Sequence, residues 1–170
     1  MGRFDLVSGE STVRVSARTT INTVTMSTSA VVGALDAETT DHGVFLAVTS
    51  PPCRIQVPVS ELRSGNPLFD HEGQRRFDAA HYPLIGAELM TAIPLGEGVH
   101  LATWRLEFHG ATHDLDGHLL ARAADDASII VESQCHFDVR HWGVEPGRFL
   151  AIQVHPEASF EVRLRARRSH

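Results

Sequence analysis

The chain has 170 residues, 42% of them apolar and 21% charged, which is enough for one compact domain with its own core and short for two. All 15 basic residues are arginine, and against 21 acids they leave a formal charge of -6, which argues against the broad basic face that a nucleic-acid binder needs to displace counterions from phosphates. The longest uncharged run, Thr19 to Leu35, is too rich in Thr, Ser and Asn for a membrane-spanning helix of about 20 apolar residues.

A single domain over residues 1–170 is therefore expected, with no membrane span and no nucleic-acid partner. From Met1 to Glu10, charges at Arg3, Asp5 and Glu10 leave no apolar stretch of the kind a secretory signal carries. Cys53 and Cys135 lie far apart and in no zinc-like spacing, so two free buried thiols and a cytoplasmic address are expected.

Along the chain, alternation dominates. Val13, Val15 and Ala17 interleave with Arg14, Ser16 and Arg18, the period of two that marks a strand with one buried face. Residues from Asn22 to Leu35 are β-branched or small and predict one long or bent strand. Val44 to Thr49 is a further candidate, and Ile55, Val57 and Val59 alternate again. Ser60 to Tyr82 breaks the rhythm: Leu62, Phe69, Phe77 and Tyr82 are spaced as on a helix, with Asn66-Pro67 as an entry and Pro83 as an exit. Gly73 weakens that helix by about 1 kcal/mol relative to alanine.

Leu84 to Ile93, Val99 to His109, His113 to Ala123, Ser128 to Phe137 and Ala158 to Ala166 are the remaining strands. Turn signals separate them at Asp41-His42-Gly43, Pro51-Pro52, Pro94 to Gly98, Asp116-Gly117 and Pro146-Gly147. Near the end, Arg163, Arg165 and Arg167 alternate with Val162, Leu164 and Ala166, which reads as the wet face of a closing strand. Eight or more strands with no parallel crossover predict an all-β, antiparallel sheet that closes into a barrel, with a short helical insertion. About eight strands leave room inside for side chains or for one small ligand.

Several segments resemble the YceI-like proteins, lipocalin-like barrels associated with isoprenoid chains. Phe4-Asp5-Leu6 with Ser11 to Val15 is similar to that family's opening strands. Ile55 to Val59, Leu62 to Asn66 and Phe77 to Ile85 resemble its central strand, arginine-bearing helix and Tyr-Pro strand entry. Leu106 to Thr112 and Phe137 to Val144 resemble its later turns, and Phe160 to Ala166 its closing strand. Glu10-Ser11 stands where relatives carry His-Ser, and Val32 to Leu35 departs from their glycine-aromatic strand. The resemblance implies a lipocalin-like barrel that binds a lipid or polyisoprenoid.

Sequences of catalytic type are sparse. Eleven histidines invite a metal, yet His109, His113 and His118 span a turn and a strand, and His71-Glu72 has Arg75 where a zinc-protease helix needs its second histidine. There is no G-x-S-x-G, no G-x-G-x-x-G and no Walker sequence. No cofactor and no metal are expected.

The apolar lining remains. Ala102, Trp104, Leu106 and Phe108 share one face of their strand, and Ile129, Val131, Ser133, Cys135 and Phe137 share one face of theirs. Only 11 aromatics serve all the strands (8 Phe, 2 Trp, 1 Tyr), so a hollow beneath the Ser60 to Tyr82 helix is the default site. The function expected is a carrier of a hydrophobic chain-like molecule, isoprenoid, quinone or fatty-acid-like. Trp104, Leu106, Phe108, Phe137, Phe77 and Tyr82 are the candidate contacts, with Arg63 holding a polar head or pairing with Asp70 or Asp78. Two alternatives stand beside it: a small cyclase or isomerase using His109, Asp138 or His141 for proton transfer, and a filled barrel acting through an edge or as a homodimer.

Overall fold

Two of the wall strands of the barrel are each built from two pieces. In the computed structural model, which describes residues 2–41, 43–46, 53–149 and 151–170, β1 (Gly2–Leu6) and β2 (Thr12–Thr19) both run antiparallel to the last strand, β12 (Ile152–Arg168). Leu6 lies opposite Ala166 and Thr12 opposite Arg163, so the two continue one another along the same edge after an excursion through Val7 to Ser11. Their neighbours do the same. β3 (Thr23–Thr28) pairs with β2, and β4 (Val32–Thr40) pairs with β1.

The long strand expected from Asn22 to Leu35 is therefore broken. The Thr28 hydroxyl accepts from the Ala30 N–H at 2.9 Å, a local bond that competes with the ladder, and Val31 turns its side chain into the core.

The wall continues through β6 (Arg54–Pro58), β7 (Leu84–Gly96), β8 (Val99–Phe108), β9 (Ala111–Ala123) and β10 (Ser128–Asp138), each antiparallel to the next. β10 then pairs with β12 from Ser128↔Arg167 to Asp138↔Glu157, which closes an eight-position antiparallel barrel. Closure pairs most strand edges among the described residues. β5 (Gly43–Leu46) folds back on β4, and β11 (Arg148–Phe149) folds on the start of β12. The strand expected from Val44 to Thr49 is seen over Val44 to Leu46; its remainder and the Pro51-Pro52 turn lie outside the described residues, as does His42.

Inside, alternate residues meet as the pattern predicts. Trp104, Leu106 and Phe108 of β8 pack with Val131, Cys135 and Phe137 of β10 and with Phe160, Val162 and Leu164 of β12 in one continuous core. The Trp104 indole donates to the Ser133 hydroxyl at 3.0 Å, and that hydroxyl donates to the His118 carbonyl at 2.9 Å. Both buried polar groups are thereby satisfied. Outside, Arg163 pairs with Glu132, and Arg165 pairs with Asp125 and Glu10. Cys53 and Cys135 are free and buried, as expected.

The helical insertion is shorter than the Ser60 to Tyr82 segment. A single 3-10 turn, Val59–Glu61, precedes α1 (Pro67–Arg76). Asn66 caps it by accepting from the Leu68 N–H at 3.0 Å, with Pro67 in the first turn. Gly73 has a packing reason: a Cβ there would come 3.0 Å from the Met26 methyl of β3, so the bare backbone lets that side chain lie against the helix.

Candidate functional site

α1 lies across one end of the barrel, and the chain between β10 and β12 lies beside it. Between them is a cavity of about 130 Å³. Val15 and Ala17 of β2, Val24 and Met26 of β3, and Ala158 of β12 form its walls. Phe69, Gly73 and Phe77 of α1 and its end form the roof, and Val139, Val144 and Gly147 form the remaining side. The polar side chains are few: Glu72, Arg76, Glu145 and His155. A space of this size takes about one benzene-sized group; pockets for drug-sized ligands begin at roughly 300 Å³.

Among the described residues the rest of the interior forms one continuous core of buried side chains rather than the hollow that the low aromatic content suggested. Trp142 accounts for much of the difference. β9 pairs with β10 only as far as Gly117↔Cys135, whereas β10 runs on to Asp138 against β12, so the two strands part at the α1 end. The 3-10 turn Val139–Trp142, capped by the Asp138 carboxylate accepting from Arg140 N–H, places Trp142 beside that parting. Its ring stands edge-on to His113 and Phe137, 5.0 and 5.4 Å between centroids, and its indole N–H donates to the Leu106 carbonyl at 3.1 Å.

Of the seven residues proposed from the sequence as ligand contacts, Phe77 alone lines the cavity. Its ring meets Phe108 edge-on at 5.1 Å, so Phe108 supports it from below. Trp104, Leu106, Phe108 and Phe137 are buried in the barrel core, packed against other side chains. Tyr82 is 40% exposed, its ring tilted by 58° to that of His109 at 5.3 Å between centroids, above Gly110, where it covers the β8–β9 turn. Arg63 is exposed along a separate shallow hollow with Gly65, Pro67 and His71, and its backbone exchanges two 3.0 Å hydrogen bonds with Ser27. The partners suggested for it are engaged elsewhere: Asp70 accepts from the Ser64 N–H and hydroxyl, and Asp78 pairs with His81.

The three candidate proton-transfer groups also lie off the cavity. His109 donates from Nδ1 to the Trp142 carbonyl at 2.9 Å. Asp138 is gripped by the Arg140 guanidinium at 2.6 Å, and those hydrogen bonds hold its carboxyl down at about 2. His141 is exposed, in an outer hollow with Asp114 and Asp138. Among the described residues no group of three or more His, Cys, Asp or Glu side chains is placed to hold a metal ion, and no helix is long and apolar enough to cross a membrane.

What sequence reasoning missed is the other side of the cavity. Val15 was legible as an inward position, but Met26, Arg76 and Val144 carried no signal of their own. They converge because α1 and the turn before β11 fold over the same barrel end. There Arg76 pairs with Glu72 at 2.8 Å, donates to the Glu145 carbonyl at 3.3 Å and lies against Gly147, where a Cβ would overlap its guanidinium.

Solved structures share this architecture. A polyisoprenoid binding domain from Saccharophagus degradans implicated in plant cell wall breakdown superposes with a TM-score of 0.78 at 11% identity, over 99% of this chain and 100% of that one. BcnA from Burkholderia cenocepacia gives 0.76 at 12% identity over 95% and 99%, and the YceI protein of Campylobacter jejuni gives 0.64 at 10% over 82% of each. This chain has the YceI-type fold. No family model and no curated protein matches the sequence. At such identity the shared feature is the barrel, and the site must be argued from its own residues. In this chain Trp104 and Trp142 are buried in the core, and the cavity lies at the α1 end.

Proposed function

We propose that this YceI-type barrel binds an apolar, chain-like small molecule by inserting the end of the chain beneath α1. The observation that carries the reading is the cavity itself: an apolar space at the barrel mouth, walled by Val15, Val24, Met26, Phe77, Val139 and Val144, in a barrel that is otherwise packed. Protein interiors are close-packed with few voids larger than a water molecule, so a space of this size beneath α1 stands out. Burial of apolar area there contributes about 25 cal/mol per square ångström, enough to hold a chain end without a covalent link. The similarity to a polyisoprenoid binding domain supports a ligand of the isoprenoid, quinone or fatty-acid type.

The test is to extract protein purified from its own host with organic solvent and identify the released molecules by mass spectrometry, with geraniol and decanol uptake measured on the stripped protein. A hydrophobic guest that is lost in Ala158→Phe, which fills the cavity while leaving the far-ultraviolet circular dichroism unchanged, is the expected result. Protein that carries no guest and takes up neither probe overturns the reading.

A further inference from the structure

The outer wall of the barrel changes character along β8 and β9. Towards the α1 end its side chains satisfy one another: the Arg105 guanidinium donates to Asp114 at 2.9 Å, and the Thr103 hydroxyl donates to Asp116 at 2.8 Å. Towards the other end, where β7 turns into β8, the same rows become apolar. Ile93, Leu95, Leu101 and Leu120 are 57, 56, 43 and 38% exposed, four of the nine large apolar side chains exposed among the described residues. Ladder pairing draws them together, with Ile93 opposite Leu101 and Val99 opposite Leu120. Scattered exposed leucines are ordinary, whereas a contiguous group on three adjacent strands marks an interaction surface. β8 is hydrogen-bonded to β7 on one side and to β9 on the other, so a partner here meets side chains and does not extend the sheet.

Charge indicates which partner fits. The Ala121 N–H donates to the Gly98 carbonyl at 2.9 Å, which brings Glu97 and Arg122 to the same end of the β8 and β9 rows. Both are exposed, and neither has an ion pair among the described residues. One free acid beside one free base gives no net attraction for an anionic lipid surface. It suits a surface that carries the same two charges in reverse order, and a second copy of this chain carries that surface. On a chain of formal charge -6 two copies repel, so they meet where the local charges cancel.

We propose that two copies of this chain pack face to face through the β8–β9 wall, with a twofold axis running along the seam between the two strands. Barrel walls are convex, so two of them touch along such a seam. The axis sets each outward residue of β8 against the residue that its own ladder places opposite, now supplied by the other copy. Val99 then meets the partner's Leu120, Leu101 meets the partner's His118, and Arg105 meets the partner's Asp114. Beyond the last rung, Glu97 meets the partner's Arg122. Each contact joins apolar groups, an apolar group and an imidazole, or opposite charges, and each occurs twice. The apolar part of the seam lies away from α1, so the contact is independent of what the cavity holds.

The experiment is sedimentation velocity of the full chain at concentrations up to about 1 mM, with circular dichroism as the check on folding. The unaltered protein is expected to show a monomer–dimer equilibrium, and Leu101→Glu, at an outward position, to stay monomeric with an unchanged spectrum. Glu97→Arg and Arg122→Glu are each expected to weaken the dimer about tenfold, because either one sets like charges together twice. Mixed in equal amounts, these two variants are expected to form a mixed dimer as stable as the unaltered one, since both contacts again join acid and base. A monomer at every concentration overturns the proposal. So does a dimer that Leu101→Glu leaves intact, or a mixture no stronger than its parts. Co-sedimentation of monomers with phosphatidylcholine–phosphatidylserine vesicles, lost in Leu101→Glu, assigns the patch to a lipid surface and overturns it too.

Discussion

The Trp142 indole N–H donates to the backbone carbonyl of Leu106, 36 residues earlier, at 3.1 Å. The bond ties the turn after β10 to the wall strand β8 at the place where β9 and β10 have parted. A buried ring of this size stabilises by its packing and by that one donated bond together.

Trp142→Ala is accordingly expected to lower stability by about 3–5 kcal/mol, read as a shift of the urea midpoint with the m-value retained. Trp142→Phe is expected to lose less, because it keeps the edge-on contacts with Phe137 and His113. A melt unchanged by Trp142→Ala would remove the tryptophan from its place in the core.

Two glycines separate steric necessity from local freedom. A Cβ at Gly117 would strike the Gln134 carbonyl and stand 2.7 Å from the Cys135 sulfur, on the last rung that joins β9 to β10. Backbone cannot yield there without lengthening the split, so Gly117→Ala is expected to cost about 1–3 kcal/mol. At Gly147 the obstructing atoms belong to the far end of the Arg76 side chain, which can swing away. Gly147→Ala is therefore expected to leave the thermal midpoint nearly unchanged, measured by thermal melting followed by circular dichroism.

Asp138 links the site's border to acid sensitivity. Its carboxyl is held at about 2 by hydrogen bonds from the Arg140 side chain first and the Arg140 N–H second, against about 3.9 in an unfolded chain. A carboxyl depressed on folding adds stability that is present above the unfolded value and is lost as pH falls through the folded one. The stability difference between the native protein and Asp138→Asn is therefore expected to hold above pH 4 and to shrink between pH 4 and pH 2, as followed by acid titration of circular dichroism.

Burial pushes the Cys53 thiol up to about 12, with the Asp36 charge adding to it, and the Cys135 thiol up to about 11, with the Ser133 hydrogen bond partly opposing. Since the thiolate is the reactive form, neither is expected to react with a disulfide reagent at pH 8 in the native protein, and both are expected to react in denaturant. Rapid release of one equivalent from the folded protein would contradict the placement of that cysteine.

Much of the barrel was legible because a half-buried strand repeats every two residues. Trp104, Leu106 and Phe108 on one strand and Val131, Cys135 and Phe137 on another declared their shared faces without a partner in view. The break between β3 and β4 was not legible: Ser29 and Ala30 do not interrupt a β-prone run, and the turn exists because β3 and β4 serve two different partners, β2 and β1. Phe77 could be assigned to the cavity because it stands at the end of α1. Pattern alone did not place Tyr82 and Arg63, since Tyr82 lies six residues after α1 and Arg63 four before it, where the chain can point either way.

The sequence by itself determined the antiparallel all-β architecture, the wet arginine face of β12 and the Asn66-Pro67 start of α1, because alternation and capping depend on residues within a few positions of one another. Only the tertiary structure decided that the barrel is filled through most of its length and open beneath α1. That outcome depends on whether side chains such as Trp142 and Leu106, or Arg76 and Gly147, meet across the fold and fill the same volume, and no local pattern records it.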